Sequence, residues 1–184
     1  MIEMVIENIC SGVMNYQRIM LLKEKAGLCY LPIWINPAEA EAIAVKMQKD
    51  VVPRPLSHDL LYSIIKAMGA SIVHVVINDL KDDVYYAMLV LDVDGEPSEF
   101  DARPSDAVAL AVTAGVPIYA EEVVLEMAGI SLDTKVDQPV LRKVKTHKAE
   151  NKDQKDVGEG PKGVSAFTDF INTLDMDDFG KRKT

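Results

Sequence analysis

One stretch of this chain occurs twice. Residues 31–46 (LPIWINPAEAEAIAVK) align without a gap on residues 98–113 (SEFDARPSDAVALAVT), at a constant offset of 67. Each copy reads as the end of a strand, a proline at the first helical position, an acid two residues later and an alanine-rich helix. A chain written this way has to accommodate two equivalent strand-to-helix corners. The corners differ where chemistry is expected. Asn36 precedes Pro37, where a helix N-cap is wanted, whereas Arg103 precedes Pro104, just behind Asp101.

Around each corner the pattern is three strands followed by a helix. Residues 3–9, 17–23 and 28–35 are rich in Ile, Val, Leu and Tyr with short turns between them, and Pro37 opens a helix to about Lys49. Ser57 is placed to cap a helix over residues 58–68, which Gly69 ends. Residues 72–80 and 84–93 then read as long strands, the second turning at Asp94-Gly95 into a short strand at 98–102 before the helix from Pro104. A brief strand at 118–119 and a helix near 121–127, closed by Gly129, follow. The expected fold is α+β: two β-β-β-α repeats forming a curved or barrel-like mixed sheet flanked by helices, with a flexible C-terminal tail. The domain is expected over residues 1–138. Residues 139–163 hold too few apolar side chains to offset chain entropy and read as a flexible charged linker. Residues 164–180, with Phe167, Phe170, Ile171 and Leu174 at helical spacing among acids, read as a short amphipathic helix.

Several functions are excluded by what is missing. There is no G-x-x-x-x-G-K-[ST], G-x-G-x-x-G, H-E-x-x-H or paired C-x-x-C, which removes a P-loop, a dinucleotide fingerprint, a zincin site and a zinc ribbon. Asp92-Val-Asp94-Gly95 resembles part of a calcium loop, but Val90 stands at its first ligand position, so a hairpin turn is the better reading. The [DE]-x-K pattern of metal-dependent nucleases occurs at Asp79, Asp133 and Asp153, too often in an acidic chain to single out one. Cys10 and Cys29 fit neither a disulfide framework nor a metal spacing, and read as small apolar side chains. The N-terminus carries no basic cluster, and the longest uncharged run falls short of the ~20 residues of a membrane span, so a cytoplasmic protein with no membrane partner is expected. A net charge of −9 argues against broad electrostatic wrapping of nucleic acid, so any polyanion has to meet a local basic site.

Two segments offer one. In Arg54-Pro-Leu-Ser-His58-Asp59 a helix begins with a histidine and an acid in its first turn; the positive helix end favours a neutral imidazole able to accept a proton, and a carboxylate at Asp59. The bland alternative is that Ser57 and Asp59 cap the helix and His58 packs. In Asp101-Ala-Arg103-Pro-Ser105-Asp106, Arg103 places a cation beside the positive end of a helix and forgoes a cap worth about 1 kcal/mol. Either Asp101 or Asp106 pairs with it structurally, or it meets an anion beside the helix amides. Arg54, Arg103 and Ser105 converging on one phosphate, with His58 and carboxylates nearby, would suit phosphodiester chemistry. Asp101 and Asp106 could hold Mg2+ or Mn2+, or His58 or a carboxylate could activate water without metal. His74 reads as packed within its strand, and Trp34, which aligns with Asp101, as core.

The Arg54-Pro-Leu-Ser-His-Asp-Leu and Asp101-Ala-Arg-Pro-Ser-Asp-Ala-Val-Ala-Leu-Ala strings, with Pro117-Ile-Tyr and Glu121-Glu-Val-Val-Leu, resemble the bifunctional nuclease domain over about residues 1–130. The resemblance implies a cytoplasmic α+β protein with nuclease activity toward DNA and RNA, forming a homo-oligomer, with a dimer favoured. His58, Asp59, Asp101 and Asp106 are then the candidate catalytic residues. Two other classes compete. One is a non-catalytic oligomeric binding module whose Arg-Pro-Ser-Asp segment is a structural bracket and whose tail helix recruits a partner; its distinguishing sign is Arg103 buried between Asp101 and Asp106. The other is a sensor of a small anionic metabolite.

Overall fold

The computed structural model describes residues 1–11, 18–50, 52–131 and 142–143. Strands β1 (Ile2–Ser11), β2 (Arg18–Glu24) and β3 (Cys29–Ile35) form an antiparallel meander that runs into α1 (Pro37–Met47). After α2 (Ser57–Ala67), strands β4 (Ser71–Lys81), β5 (Val84–Val93) and β6 (Glu96–Ala102) form a second meander that runs into α3 (Pro104–Ala114). β7 (Ile118–Ala120), α4 (Glu122–Ala128), β8 (Ile130–Ser131) and β9 (Arg142–Lys143) follow. β9 falls inside the stretch expected to be linker, where it pairs with β8. The rest of that stretch, and the amphipathic segment at 164–180, lie outside the described residues.

The strands form one mixed sheet in the order β6-β5-β4-β7-β1-β2-β3-β8-β9. β7 is inserted between the first strands of the two meanders, parallel to β4 and antiparallel to β1. The meanders therefore extend outward from β7 on either side. The sheet stays open, with β6 at one end of the order and β9 at the other, so the expected curvature is present without closure into a barrel. The curvature is strong enough to bring distant strands together: the Tyr85 hydroxyl on β5 donates to the Pro32 carbonyl on β3 at 3.0 Å. Burial, then the nearby Asp83 carboxylate, pushes that phenol up to about 12.

Both meanders feed one core. Met20, Leu22, Leu31 and Ile33 from the first meet Val75, Ile77, Ala87 and Leu89 from the second. At its centre is α3, whose residues Ala107, Val108, Ala109, Leu110 and Ala111 are all buried because the helix touches α1, α2, β4 and β5. Its alanines leave room for close approach on several sides, and Gly115, with φ 71, ends it in the left-handed conformation. On β3 the period-two alternation turns Leu31, Ile33 and Ile35 inward and Trp34 outward. Trp34, expected in the core, is instead 37% exposed on the other face. His74 lies part-buried in β4, edge-on to the Tyr119 ring at 5.5 Å.

Candidate functional site

Asn36 and Arg103 both occupy the N-cap position of the helix that follows, with extended backbones (ψ 157 and 145) and proline next. Neither side chain caps. The expectation that Asn36 caps α1 is corrected: its Nδ2 donates instead to Glu39 Oε1 at 3.3 Å. The same holds for Ser57, which is the first residue of α2 rather than its cap; Leu56 holds that place, and its N–H donates to Asp59 Oδ2 at 3.0 Å. Asp59, at the third position, reaches back over the helix start, and leucine has no acceptor with which to reciprocate.

Helices α1, α2 and α3 are tied to one another by charged side chains. The Arg103 Nε donates to Asp106 Oδ2 at 2.7 Å and its Nη2 to Asp106 Oδ1 at 3.1 Å. Nη2 also lies 3.1 Å from Glu39 Oε1 on α1. Asp106 Oδ1 lies 3.3 Å from His58 Nε2 on α2. Lys46 Nζ, in the last turn of α1, lies 2.6 Å from Asp59 Oδ1 in the first turn of α2. The pairs run α1 to α3, α3 to α2 and α2 back to α1, closing a ring.

Burial differs around this ring. Glu39 is 14% exposed and His58 15%, whereas Arg103 is 62% exposed. Partial burial pushes the Asp106 carboxyl up, but the Arg103 guanidinium and the His58 ring outweigh it and hold Asp106 below the usual carboxylate range. Burial likewise opposes, and Lys46 and the Leu56 amide overcome, at Asp59, which is also held low. The Asp106 carboxylate, reinforced by Glu39, raises Arg103 above its ordinary value, so its charge is permanent.

Of the candidate residues, the structure brings His58 and Arg103 each into contact with Asp106, while Asp59, the next residue after His58 in α2, pairs with Lys46. It does not bring Asp101 in. Asp101 is exposed on β6 opposite Met88, and none of the ion pairs of Arg103 involves it. Ser105 is buried at the second position of α3, and Arg54 is exposed in the bend before α2 with no ion pair among the described residues. Among the described residues no group of three or more His, Cys, Asp or Glu side chains is placed to hold a metal ion. Both oxygens of Asp106 already serve Arg103, and Asp101 stands apart, so these two do not fit a divalent cation. Two participants went unrecognised in the sequence, Glu39 and Lys46. Glu39 carried a signal, since it occupies in the first copy the place of Asp106 in the second.

The arrangement defines a class: an α+β domain on an open mixed sheet, with a histidine, a guanidinium and carboxylates gathered at its helix starts. The chain belongs to the bifunctional nuclease domain family, whose model matches residues 20–133. An uncharacterised protein of Mycobacterium tuberculosis is 39% identical over 163 residues, covering 89% of this chain and 88% of that protein. Bifunctional nuclease 1 of Oryza sativa subsp. japonica is 27% identical over 127 residues, 67% of this chain and 37% of that protein. Bifunctional nuclease 1 of Arabidopsis thaliana is 27% identical over 107 residues, 56% of this chain and 33% of that protein. Among the described residues no helix is long and apolar enough to cross a membrane.

Proposed function

We propose that this protein is a nuclease that hydrolyses phosphodiester bonds in DNA or RNA, with His58 as the proton-transfer group. The observation that carries the reading is the 3.3 Å contact of His58 Nε2 with Asp106 Oδ1, on a carboxylate that an exposed arginine grips through two nitrogens. Asp106 favours the tautomer with the proton on Nε2, which leaves the Nδ1 lone pair to take a proton from water. The resulting hydroxide attacks phosphorus, and the P–O bond to the leaving oxygen breaks as the imidazolium or solvent returns a proton. The outward edge of Arg103, with Arg54 on the adjacent loop, meets the non-bridging oxygens. Lys46 and Asp59 fix the first turn of α2 and hence His58. Membership of the bifunctional nuclease domain family supports the same reading. A homo-oligomer in the cytoplasm is part of the proposal, and analytical ultracentrifugation tests the assembly.

The test is cleavage of RNA and single-stranded DNA by purified protein, with chelator and with added Mg2+ or Mn2+. Wild type should cut, and His58→Ala should lose a factor of about 100 or more in kcat, the scale of one proton-transfer group. Failure of wild type to cut either polymer under every condition sinks the proposal. The second reading, a binding module with Arg103 as a structural bracket, is favoured by the two-sided ion pair to Asp106 and Glu39, and disfavoured by the exposure of Arg103. It gains from that same negative result.

A further inference from the structure

We infer that Glu39, the acid of the first corner, is a positioning residue for the second. It sets the orientation of the Arg103 guanidinium and, through Asp106, that of the His58 ring. The kinetic consequence rests on the nuclease reading; the geometric one does not.

An exposed arginine paired only with a carboxylate three residues along its own helix is weakly fixed, because solvent competes and the long side chain retains its rotamers. Glu39 supplies an anchor from a different helix. Its side chain is 14% exposed, and Oε1 meets Arg103 Nη2 at 3.1 Å. Asn36 Nδ2 holds the same oxygen at 3.3 Å, so the carboxylate is steered toward the arginine from its own helix start. The other oxygen, Oε2, is buried without a hydrogen-bond partner. Arg103 is the one cation paired with Glu39 among the described residues. A carboxylate left half satisfied in the interior costs the fold more than an apolar residue would, so its presence calls for a reason beyond packing. Holding Arg103 supplies that reason.

Nη2 is the joint of the arrangement, since it touches Glu39 Oε1 and Asp106 Oδ1 together, while Nε holds Asp106 Oδ2. With those two nitrogens committed, the guanidinium plane is set. Nη1, which has no hydrogen bond to another described residue, is left to a phosphate oxygen in a fixed direction. Asp106 Oδ1 is shared between Arg103 Nη2 and His58 Nε2, so a shift of Nη2 is felt at the imidazole.

Glu39→Ala and Glu39→Gln separate this role from plain structural support. Glutamine keeps the shape and a carbonyl acceptor for Nη2 while losing the charge. On RNA or single-stranded DNA, Glu39→Ala should raise KM about tenfold, the scale of one charge-assisted hydrogen bond, with a smaller fall in kcat, and Glu39→Gln should recover part of the KM effect. Independently of activity, the His58 ring resonances in two-dimensional NMR should move in Glu39→Ala and stay in place in Glu3→Ala, a control on the exposed Lys25–Glu3 pair. If wild type cleaves nothing, the nuclease reading is lost and the NMR comparison alone decides the positioning role. Should Glu39→Ala fail to fold, Glu39→Gln carries the test, and its ring shift supports the role. Unmoved His58 resonances in a folded variant overturn it, as does an unchanged KM in active protein.

Discussion

The two corners start alike and end with different duties. Asn36-Pro37-Ala-Glu39 and Arg103-Pro104-Ser-Asp106 each present an uncapped extended residue, a proline at the first helical position and an acid at the third. In the first corner the acid faces no cation of its own corner, and its neighbour Asn36 makes a single weak contact at 3.3 Å. In the second, Arg103 holds the acid of its own corner and the acid of the other. The arginine is therefore no mere substitute for a cap, since the first corner manages without a side-chain cap as well. What the second corner adds is a permanent positive charge between two helix starts that would otherwise face each other with two carboxylates.

The most disruptive way to test this difference is to erase it. Arg103→Asn makes the second corner resemble the first, and should lower turnover by about 100-fold or more, the loss seen when one aligned charge stabiliser is removed. Stability should fall by about 1–3 kcal/mol as well, because Glu39 is left as a mostly buried carboxylate without its cation. Adding Glu39→Gln to that variant removes the stranded charge. The double variant should regain most of the stability in urea titrations and none of the turnover. A double variant that regained turnover would show that Arg103 serves only to neutralise Glu39.

Much of the local structure around both corners was legible because it depends on short-range chemistry. Asp94 and Gly95 have φ of 55 and 86, which a two-residue hairpin requires and that sequence pair favours. Pro37 and Pro104 set φ for the first helical residue and mark both starts. The start of α2 was legible to within one residue: Ser57 is a good cap by type, but the reach of Asp59 back to the Leu56 amide moves the boundary. What depends on distant neighbours was not legible. Residues 118–119 read as a strand, yet nothing local says that β7 enters between β1 and β4. Asp101 and Asp106 stand at similar distances from Arg103 in sequence, but Asp101 belongs to a strand and Asp106 to the helix turn beneath the guanidinium, so only the latter meets it. The pairing of Glu39 with Arg103 arises from α1 packing on α3, where Ala40 and Ala107 are buried and small.

Acid offers a milder probe of the difference between corners. Asp106 and Asp59 are held below the ordinary carboxylate range in the folded protein. A depressed folded value means that these groups contribute stability fully at neutral pH, and that the contribution is lost as pH falls through the lowered values. Wild type should therefore lose unfolding free energy on acidification below about pH 4, where free aspartates begin to protonate. In Arg103→Asn the slope should be shallower, since Asp106 no longer has its strongest lowering partner while Lys46 still holds Asp59. Parallel curves for the two proteins, measured by urea unfolding between neutral pH and pH 3, would mean that Arg103 does not grip Asp106 in solution.

The smallest expected effect lies in the first corner. A side chain that caps a helix contributes about 1 kcal/mol, and Asn36 has the residue type for it. Its Nδ2 is turned instead toward Glu39 at 3.3 Å, and the Asn36 carbonyl accepts the Ala40 amide, a contact that any residue there can make. Asn36→Ala should consequently cost only a few tenths of a kcal/mol, well below a true cap. A loss near the full capping value would place the Asn36 amide over the start of α1 in solution, and Glu39 would then rely on Arg103 alone. In that case Asn36 and Arg103 act independently, and the penalty of Arg103→Asn should be the same in the Asn36→Ala background, whereas an Asn36 that holds Glu39 makes it grow.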